Sequence, residues 1–356
     1  MAGIGSSQVA QVALGVGVWV AGLHVFDAVH CVLHAMLRSR FRALRLLAAP
    51  HAIHHRWLDE RLRIHPELRT ANFLGHILPE FATQVVFTAV LATLLPATTI
   101  GVALALQAAV FVGVASCRGL DPNHRPVELL DAGRPSLLAL PAYHALHHVH
   151  PDAHYSAYSK LVDWVVGSGT MLRGRRFVVD GAESPFGGAL AAALEGEGAA
   201  SVERPGAGEV VRAGRLASAD VLVLARPDAP IEEAVERFVE ATSRRLLPPE
   251  VWVVRTDARD PLARHYHGDV RVEFRVVVVP ADRLREPAAA ARAARVALRG
   301  IRRGWNFVPV ESMSATLRSL IAFRGTKPAP PFGAALIPHR ADSTALRGSL
   351  GSRRAG

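Results

Sequence analysis

An uncharged run is the feature that most constrains this chain. None of the 36 consecutive residues from Phe81 to Ser116 is charged, and a helix needs only about 20 apolar residues to cross a bilayer. Pro96 divides the run, so we predict two membrane helices, Phe81 to Leu95 and Ala97 to Cys117, joined by a tight turn. The chain is therefore predicted to be an integral membrane protein.

An earlier apolar stretch, Val9 to Leu37, predicts a further membrane helix, although it contains Asp27. No basic segment precedes this stretch, which favours a retained anchor over a cleaved signal peptide. Four arginines follow it at once: Arg38, Arg40, Arg42 and Arg45. The positive-inside rule places this end of the helix in the cytoplasm.

Composition narrows the possible chemistry. The formal charge of +10 is carried by arginine, and it suits either nucleic acid or an anionic membrane surface. Cys31 and Cys117 are the only cysteines, which excludes a disulfide scaffold, a four-cysteine iron–sulfur cluster and a cysteine-based zinc finger. We find no nucleic-acid-binding motif, so no nucleic-acid partner is expected.

The sequence divides into four parts. Residues 1–176 are predicted to be a membrane-embedded helical core, and the Gly- and Ala-rich residues 177–215 a flexible linker. Residues 216–326 predict a small soluble α/β or α+β domain, and the Pro-, Gly- and Arg-rich residues 327–356 a disordered tail. The fold class is thus mainly α. The predicted elements of the third part are strands at Val221 to Ala225, Val251 to Arg255 and Val270 to Val279, and helices at Ile231 to Leu247 and Arg283 to Arg302.

Histidine is concentrated in the first part, with 14 of 17 residues between His24 and His154. Three clusters stand out: His30-x-x-x-His34, His51-x-x-His54-His55 and His144-x-x-His147-His148. Residues three or four apart share one face of a helix, so each cluster directs imidazoles to a common centre. Eight imidazoles suit two transition-metal ions, and iron is the metal we expect for oxidative chemistry.

The clusters and their surroundings resemble the fatty acid hydroxylase, or sterol desaturase, superfamily of integral membrane histidine-box di-iron enzymes. The third cluster, preceded by Pro141 and Tyr143, is similar to the family's final box. The segments His154-Tyr155-Ser156 and Asp163-Trp-Val-Val-Gly-Ser168 lie where the family has Asn-Tyr-Gly and Asp-x-x-Phe-Gly-Thr. His124 resembles the isolated histidine that the family places before that box, and the resemblance covers about Asp27 to Ser168.

The resemblance implies a membrane-bound oxidoreductase. Two iron ions held by the three clusters and His124 would use dioxygen to hydroxylate or desaturate a C–H bond of a lipid, such as a fatty acyl chain or a sterol. NAD(P)H would supply electrons through a separate carrier of the cytochrome b5 or ferredoxin type, because the chain contains no carrier motif. The family also includes long-chain aldehyde decarbonylases, which remain an alternative.

Other residues are candidates for a further ligand or for a group that orients the ligands: His24, His76, His154, Asp27 and Glu128. A different class of function also stays open, namely a non-catalytic membrane protein that binds metal or haem. Haem would need single histidines paired across two spanning helices, and a transporter would place its ligands near the middle of the membrane. Instead, the first cluster lies at the end of the first apolar stretch, the second follows the basic residues, and the third follows the hairpin, which favours the enzyme.

Overall fold

The computed structural model describes residues 6–120, 123–124, 139, 141–206, 209, 213–227, 229–243, 245, 249–256 and 272–310. These residues form a mainly helical structure that includes a parallel β-sheet. The mainly helical fold class is confirmed, and the observed sheet is of the α/β kind. The predicted tail, 327–356, and Glu128 lie outside the described residues.

Three helical segments are long and apolar enough to cross a membrane: Ser7–Leu37, Pro66–Leu91 and Ala97–Ser116. The first belongs to α1 (Ser6–Leu37), and the third is α5 (Ala97–Ser116). The second is continuous through a 3₁₀ turn (Pro66–Leu68), α3 (Arg69–Asn72), a π-helical turn (Phe73–Ile77) and α4 (Leu78–Leu91). The predicted pair of helices on either side of Pro96 is thus present, and the first of them begins earlier than expected.

The three apolar helices pack through small and polar residues, as is usual for helices in a membrane. A Cβ atom added to Gly15 of α1 would lie 2.8 Å from the carbonyl oxygen of Thr99, so α1 and α5 touch closely. Between α4 and α5, the amide of Gln107 donates to the hydroxyl of Thr88 at 2.7 Å. Their outward faces leave large aliphatic side chains exposed, among them Val86, Val90 and Val112.

Helix α2 (Arg42–Trp57) lies across one end of these helices and packs against α1 and the π-helical turn. Gly75 permits this contact, because a Cβ atom there would come within 2.7 Å of the carbonyl oxygen of Pro50. Two short helices, α6 (Pro141–Val149) and α7 (Leu161–Val166), follow α5 in the chain. Together they carry the third histidine cluster and Asp163.

The sheet contains six parallel strands in the order β2-β1-β3-β4-β5-β6. They are β1 (Arg176–Asp180), β2 (Ser201–Glu203), β3 (Val221–Leu224), β4 (Glu250–Arg255), β5 (Glu273–Val278) and β6 (Phe307–Pro309). Helices cover both faces, which explains why the strands are continuously apolar. These helices are α8 (Pro185–Gly196), α9 (Ala213–Ser218), α10 (Glu232–Thr242), α11 (Ala281–Arg285) and α12 (Pro287–Arg302).

Two segments of the sheet region differ from what the sequence predicts. Residues 177–215 were expected to be a flexible linker, but β1, α8, β2 and α9 lie within or overlap this segment and belong to the sheet region. Its small residues serve close packing: a Cβ atom at Gly187 would be 2.0 Å from the carbonyl oxygen of Gly181. The predicted helix Arg283 to Arg302 is divided, because the Glu286 carboxylate accepts from the backbone N–H of Ala289 and starts a new helix at Pro287.

The sheet region contacts the segment that follows the third cluster. The backbone N–H of Thr170 donates to the carbonyl oxygen of Arg302 at 3.2 Å. A Cβ atom at Gly169 would lie 2.6 Å from backbone atoms of Arg303 and Gly304, so two glycines meet at this contact. The amino ends of the strands therefore lie near the histidines.

Candidate metal centre

A five-histidine group lies where α1, α2 and α6 meet. It contains His30, His34, His51, His55 and His147, whose ligand atoms all lie within 4.8 Å of one another. The Nε2 atom of His34 lies 2.9 Å from that of His51, 3.0 Å from that of His55 and 3.1 Å from that of His147. A ring nitrogen carries one hydrogen or one lone pair, so hydrogen bonding cannot account for three such contacts. Nitrogens that share a metal ion at about 2.1 Å lie about this far apart.

A four-histidine group lies beside the first. Its members, His54, His124, His144 and His148, are all buried, and their ligand atoms also lie within 4.8 Å of one another. The Nε2 atoms of His124 and His144 are 3.1 Å apart. The rings of His54 and His148 are 4.7 Å apart, measured between centroids. Each of the two adjacent groups has enough ligand atoms to hold one metal ion.

Helical spacing explains how the second and third clusters each serve both groups, while both histidines of the first cluster join the five-histidine group. In the second cluster, His51 and His55 are four residues apart on α2 and join the five-histidine group, while the intervening His54 joins the other. In the third cluster, His144 and His148 of α6 join the four-histidine group, and His147 joins the first. The two groups thus share α2 and α6, and they adjoin one another.

Backbone carbonyls orient two members of the five-histidine group. The Nδ1 atom of His30 lies 3.0 Å from the carbonyl oxygen of Tyr155, and that of His147 lies 2.7 Å from the carbonyl oxygen of Ala153. A carbonyl only accepts, so each Nδ1 carries the proton and each Nε2 keeps its lone pair. The Nε2 atom of His30 is buried without a hydrogen-bond partner among the described residues. This is the tautomer a metal requires.

The four-histidine group shows the same arrangement. The Nδ1 atom of His148 donates to the carbonyl oxygen of Leu58 at 2.9 Å, and that of His54 donates to the side-chain oxygen of Asn72 at 3.0 Å. Within the described part of the chain, the Nε2 atoms of both histidines are buried without a hydrogen-bond partner. Orphaned, buried lone pairs directed into one space fit a divalent transition metal.

The imidazoles outside the apolar helices are held neutral. Burial, reinforced by the neighbouring imidazoles, lowers the pKa of His51, His54, His147 and His148 well below the ordinary value. The same effects lower the pKa of His55 to about 4. Neutral imidazole is the form that binds metal, so protons compete weakly for these ligands near neutral pH.

The nine histidines predicted as ligands all lie in these two groups. His76, a further candidate, is buried and stacks on the ring of His54 with centroids 3.6 Å apart, but it belongs to neither group. Its Nε2 atom lies 3.8 Å from a carboxylate oxygen of Glu80. His76 therefore packs against a predicted ligand, within the second apolar segment.

The other candidates that the structure describes, His24, Asp27 and His154, belong to neither group. The Nδ1 atom of His24 is 3.5 Å from a carboxylate oxygen of Asp27, and Asp27 accepts the backbone N–H of Ala157 at 2.9 Å. His154 is buried against the ring of Tyr143 and has a positive φ of 58°. A positive φ is the left-handed conformation that asparagine tolerates better than most residues. These side chains hold the segment after the third cluster in place.

Asp163 is the residue whose role the sequence interpretation missed. Its buried carboxylate accepts four hydrogen bonds, two at each oxygen, from the side chains of Tyr143 and Ser168 and the backbone N–H groups of Tyr155 and Ser156. The loop it holds provides the carbonyls that orient His30 and His147. The Asp163 motif was visible in the sequence, but its connection to the ligands depends on loop geometry.

A groove of about 690 Å³, open to solvent, borders His55 and His148. One of these histidines belongs to each group, so the groove reaches both. Charged side chains line it, among them Arg56, Asp59 and Arg63. Of its lining residues, only Leu68 belongs to one of the three apolar segments.

Comparisons of the chain with protein-family models, with curated proteins and with solved structures each give no match. The geometry of the chain's own histidines is therefore the support for a metal centre.

Proposed function

We propose that the protein is a membrane-bound non-haem di-iron oxidoreductase that hydroxylates or desaturates a C–H bond of a lipid. The observation that carries the proposal is the pair of histidine groups, in which buried Nε2 atoms converge from several helices. Bound iron would supply the activation of dioxygen and the oxidation of the C–H bond. The motif resemblance described above supports iron in preference to a redox-inactive metal.

The chain's own residues would perform three tasks. The five-histidine and four-histidine groups hold one ion each, and the carbonyls of Ala153, Tyr155 and Leu58 fix the ligand tautomers. The apolar helices position the centre at the membrane, where a lipid chain reaches it from the bilayer. The groove beside His55 gives a separate electron carrier, of the cytochrome b5 or ferredoxin type and reduced by NAD(P)H, access from the aqueous side.

Several observations support the membrane position. The outward faces of the apolar helices expose aliphatic side chains, which water would disfavour and lipid would accept. All the histidines of the two groups lie at one end of these helices. By the positive-inside rule, the arginines that follow α1 support a cytoplasmic location for this end and for the proposed active site.

Of the two alternatives, a haem-binding protein fits the geometry less well, and an aldehyde decarbonylase would use the same geometry. A haem between two axial histidines would need space for a flat macrocycle, and other imidazoles fill the space around His34. Aldehyde decarbonylation would use the same two groups, so product analysis has to distinguish it from hydroxylation and desaturation.

The decisive experiment combines metal analysis with lipid analysis. We expect the full chain, purified from iron-supplied cells, to contain about two irons without a haem absorption band, as nine imidazole ligands would allow. Cells that express it should contain a lipid that has gained one oxygen or lost two hydrogens. His147→Ala and His54→Ala should abolish both results, while His265→Ala, at a histidine outside residues 1–176, should leave them intact. Full lipid oxidation by the His147 variant would refute the proposal.

A further inference from the structure

Helix α2 has two unlike halves. Its second half carries His51, His54 and His55 into the metal centre. In its first half, residues 42–47 are exposed on every side, although four of the six are apolar. Leu46 and Leu47 are 61% and 68% exposed, and Phe41, just before the helix, is 56% exposed. Exposed apolar side chains concentrated in this way mark a surface that binds something apolar.

Helical periodicity relates these side chains to the histidines. At about 100° of rotation per residue, Leu44 and Leu47 lie on the same side of α2 as His51 and His54. Leu46 lies on the opposite side, together with Arg42. The first half of α2 therefore has one apolar side that continues the histidine side, and another that carries a charge.

The packing of α2 shows which way the histidine side faces. It lies against the ends of the apolar helices: His51 contacts His34 of α1, and Pro50 contacts Gly75 at the start of the second apolar segment. Only residues 38–41 separate the end of α1 from α2. If those helices cross a membrane, Leu44 and Leu47 face the same membrane beyond the edge of the helical bundle.

The basic residues fit this orientation. The guanidinium of Arg45 donates to the carbonyl oxygens of Ser39 and Arg40, and so closes the turn between α1 and α2. Arg42 is exposed at the beginning of α2. Arginines beside an apolar helix face are typical of a helix lying in the lipid–water interface, where they contact lipid phosphates.

We propose that the first half of α2 lies in the lipid–water interface, with Leu44 and Leu47 among the acyl chains, and that lipid reaches the metal centre along this side. Leu47 precedes His51 by four residues, a rise of about 6 Å along the helix. A lipid acyl chain that lies along Leu44 and Leu47 would thus extend directly to the imidazoles of α2. The route for lipid depends on the function proposed above, whereas the position of the helix in the interface depends only on membrane integration.

Leu46 and Leu47 provide a matched pair for the test. Each would be replaced by cysteine, in a full-length chain whose Cys31 and Cys117 are changed to alanine, and labelled with an environment-sensitive fluorophore. The protein would be placed in nanodiscs of phosphatidylcholine and phosphatidylglycerol, and circular dichroism would verify its fold. We expect nitroxide-bearing lipid to quench the label at position 47 and aqueous iodide to quench the label at position 46.

Two results would overturn the proposal. Equal quenching of both labels by iodide would place Leu47 in water, and protection of that label from both quenchers would show that protein covers this side.

A second experiment tests the route: Leu47→Glu should raise KM for the lipid about tenfold, since it removes the burial of one leucine, and leave the metal content unchanged. Leu46→Glu should behave as wild type, and equal KM values in both variants would refute the route. Lipid quenching at position 47 without lipid oxidation would refute the oxidoreductase and retain the interfacial helix.

Discussion

Single side chains would decide how firmly each histidine group holds the proposed metal ion. The Asp163 carboxylate accepts hydrogen bonds from four donors, and in Asp163→Asn the new NH₂ group would face two of them and could accept from neither. The loop that carries the carbonyls of Ala153 and Tyr155 would therefore shift. We expect the five-histidine group to bind metal about 10- to 100-fold more weakly. Bound metal should fall from two ions to one in a cobalt titration followed by visible absorption.

The control for this substitution is Tyr143→Phe, which removes one donor and leaves the other three. It should retain both ions. Asn72→Ala should instead weaken the four-histidine group, because it removes the acceptor for the Nδ1 proton of His54. Wild-type affinity at both groups in Asp163→Asn would show that the loop does not position the ligands.

The convergence of the histidines was predictable from the sequence, because helical spacing makes residues such as His51 and His55 neighbours on any α-helix that contains both. Their division between two groups was not. It depends on how α2 and α6 face each other, and the spacing of His54 beside His55 carries no information about that. The groups that orient the ligands were equally hidden, since Leu58 and Tyr155 act through backbone carbonyls, which any residue possesses.

At the level of elements, the strands were predicted more reliably than the segment before them. Runs such as Val221 to Leu224 are buried on both faces of a parallel sheet and read as strands in any context. Helix α8 is rich in glycine and alanine, a composition shared by flexible linkers. What distinguishes it is a contact that cannot be seen in the sequence, the approach of Gly187 to Gly181.

Two glycines of α8 test this explanation. In Gly187→Ala the new methyl group would lie 2.0 Å from a backbone oxygen, which cannot move aside without disturbing the turn after β1. We expect a loss of about 2 kcal/mol in the free energy of unfolding. Gly196→Ala, at the end of the same helix with nothing within 4 Å, should be neutral or slightly stabilising. Urea unfolding followed by tryptophan fluorescence would compare them, and equal stability of the two variants would contradict this packing.

At the scale of the whole molecule, a buried ion-pair network lies where the sheet region meets the third cluster. The Glu250 carboxylate is bonded to Arg275 and Arg175, and it accepts the indole N–H of Trp252 at 2.7 Å. Burial opposes the charge on Glu250, but the two guanidiniums outweigh it and lower the pKa of this carboxyl to about 2. Arg275 and Glu250 also act electrostatically on His154, so the network belongs to both regions.

This network predicts how stability depends on pH. Because the pKa of Glu250 falls from 4.5 to about 2 on folding, its contribution is complete above pH 4.5 and is lost as the pH decreases toward 2. Glu250→Gln should reduce the free energy of unfolding at pH 7 by about 3 kcal/mol, since it removes the buried carboxylate to which Arg275 and Arg175 are both bonded, and the difference from wild type should shrink across this window. Glu273→Gln removes a half-exposed partner of the same Arg275 and should cost less. Denaturation of metal-free wild type, Glu250→Gln and Glu273→Gln at several pH values measures these differences. If the difference between wild type and Glu250→Gln does not change with pH, the network does not hold Glu250 ionised.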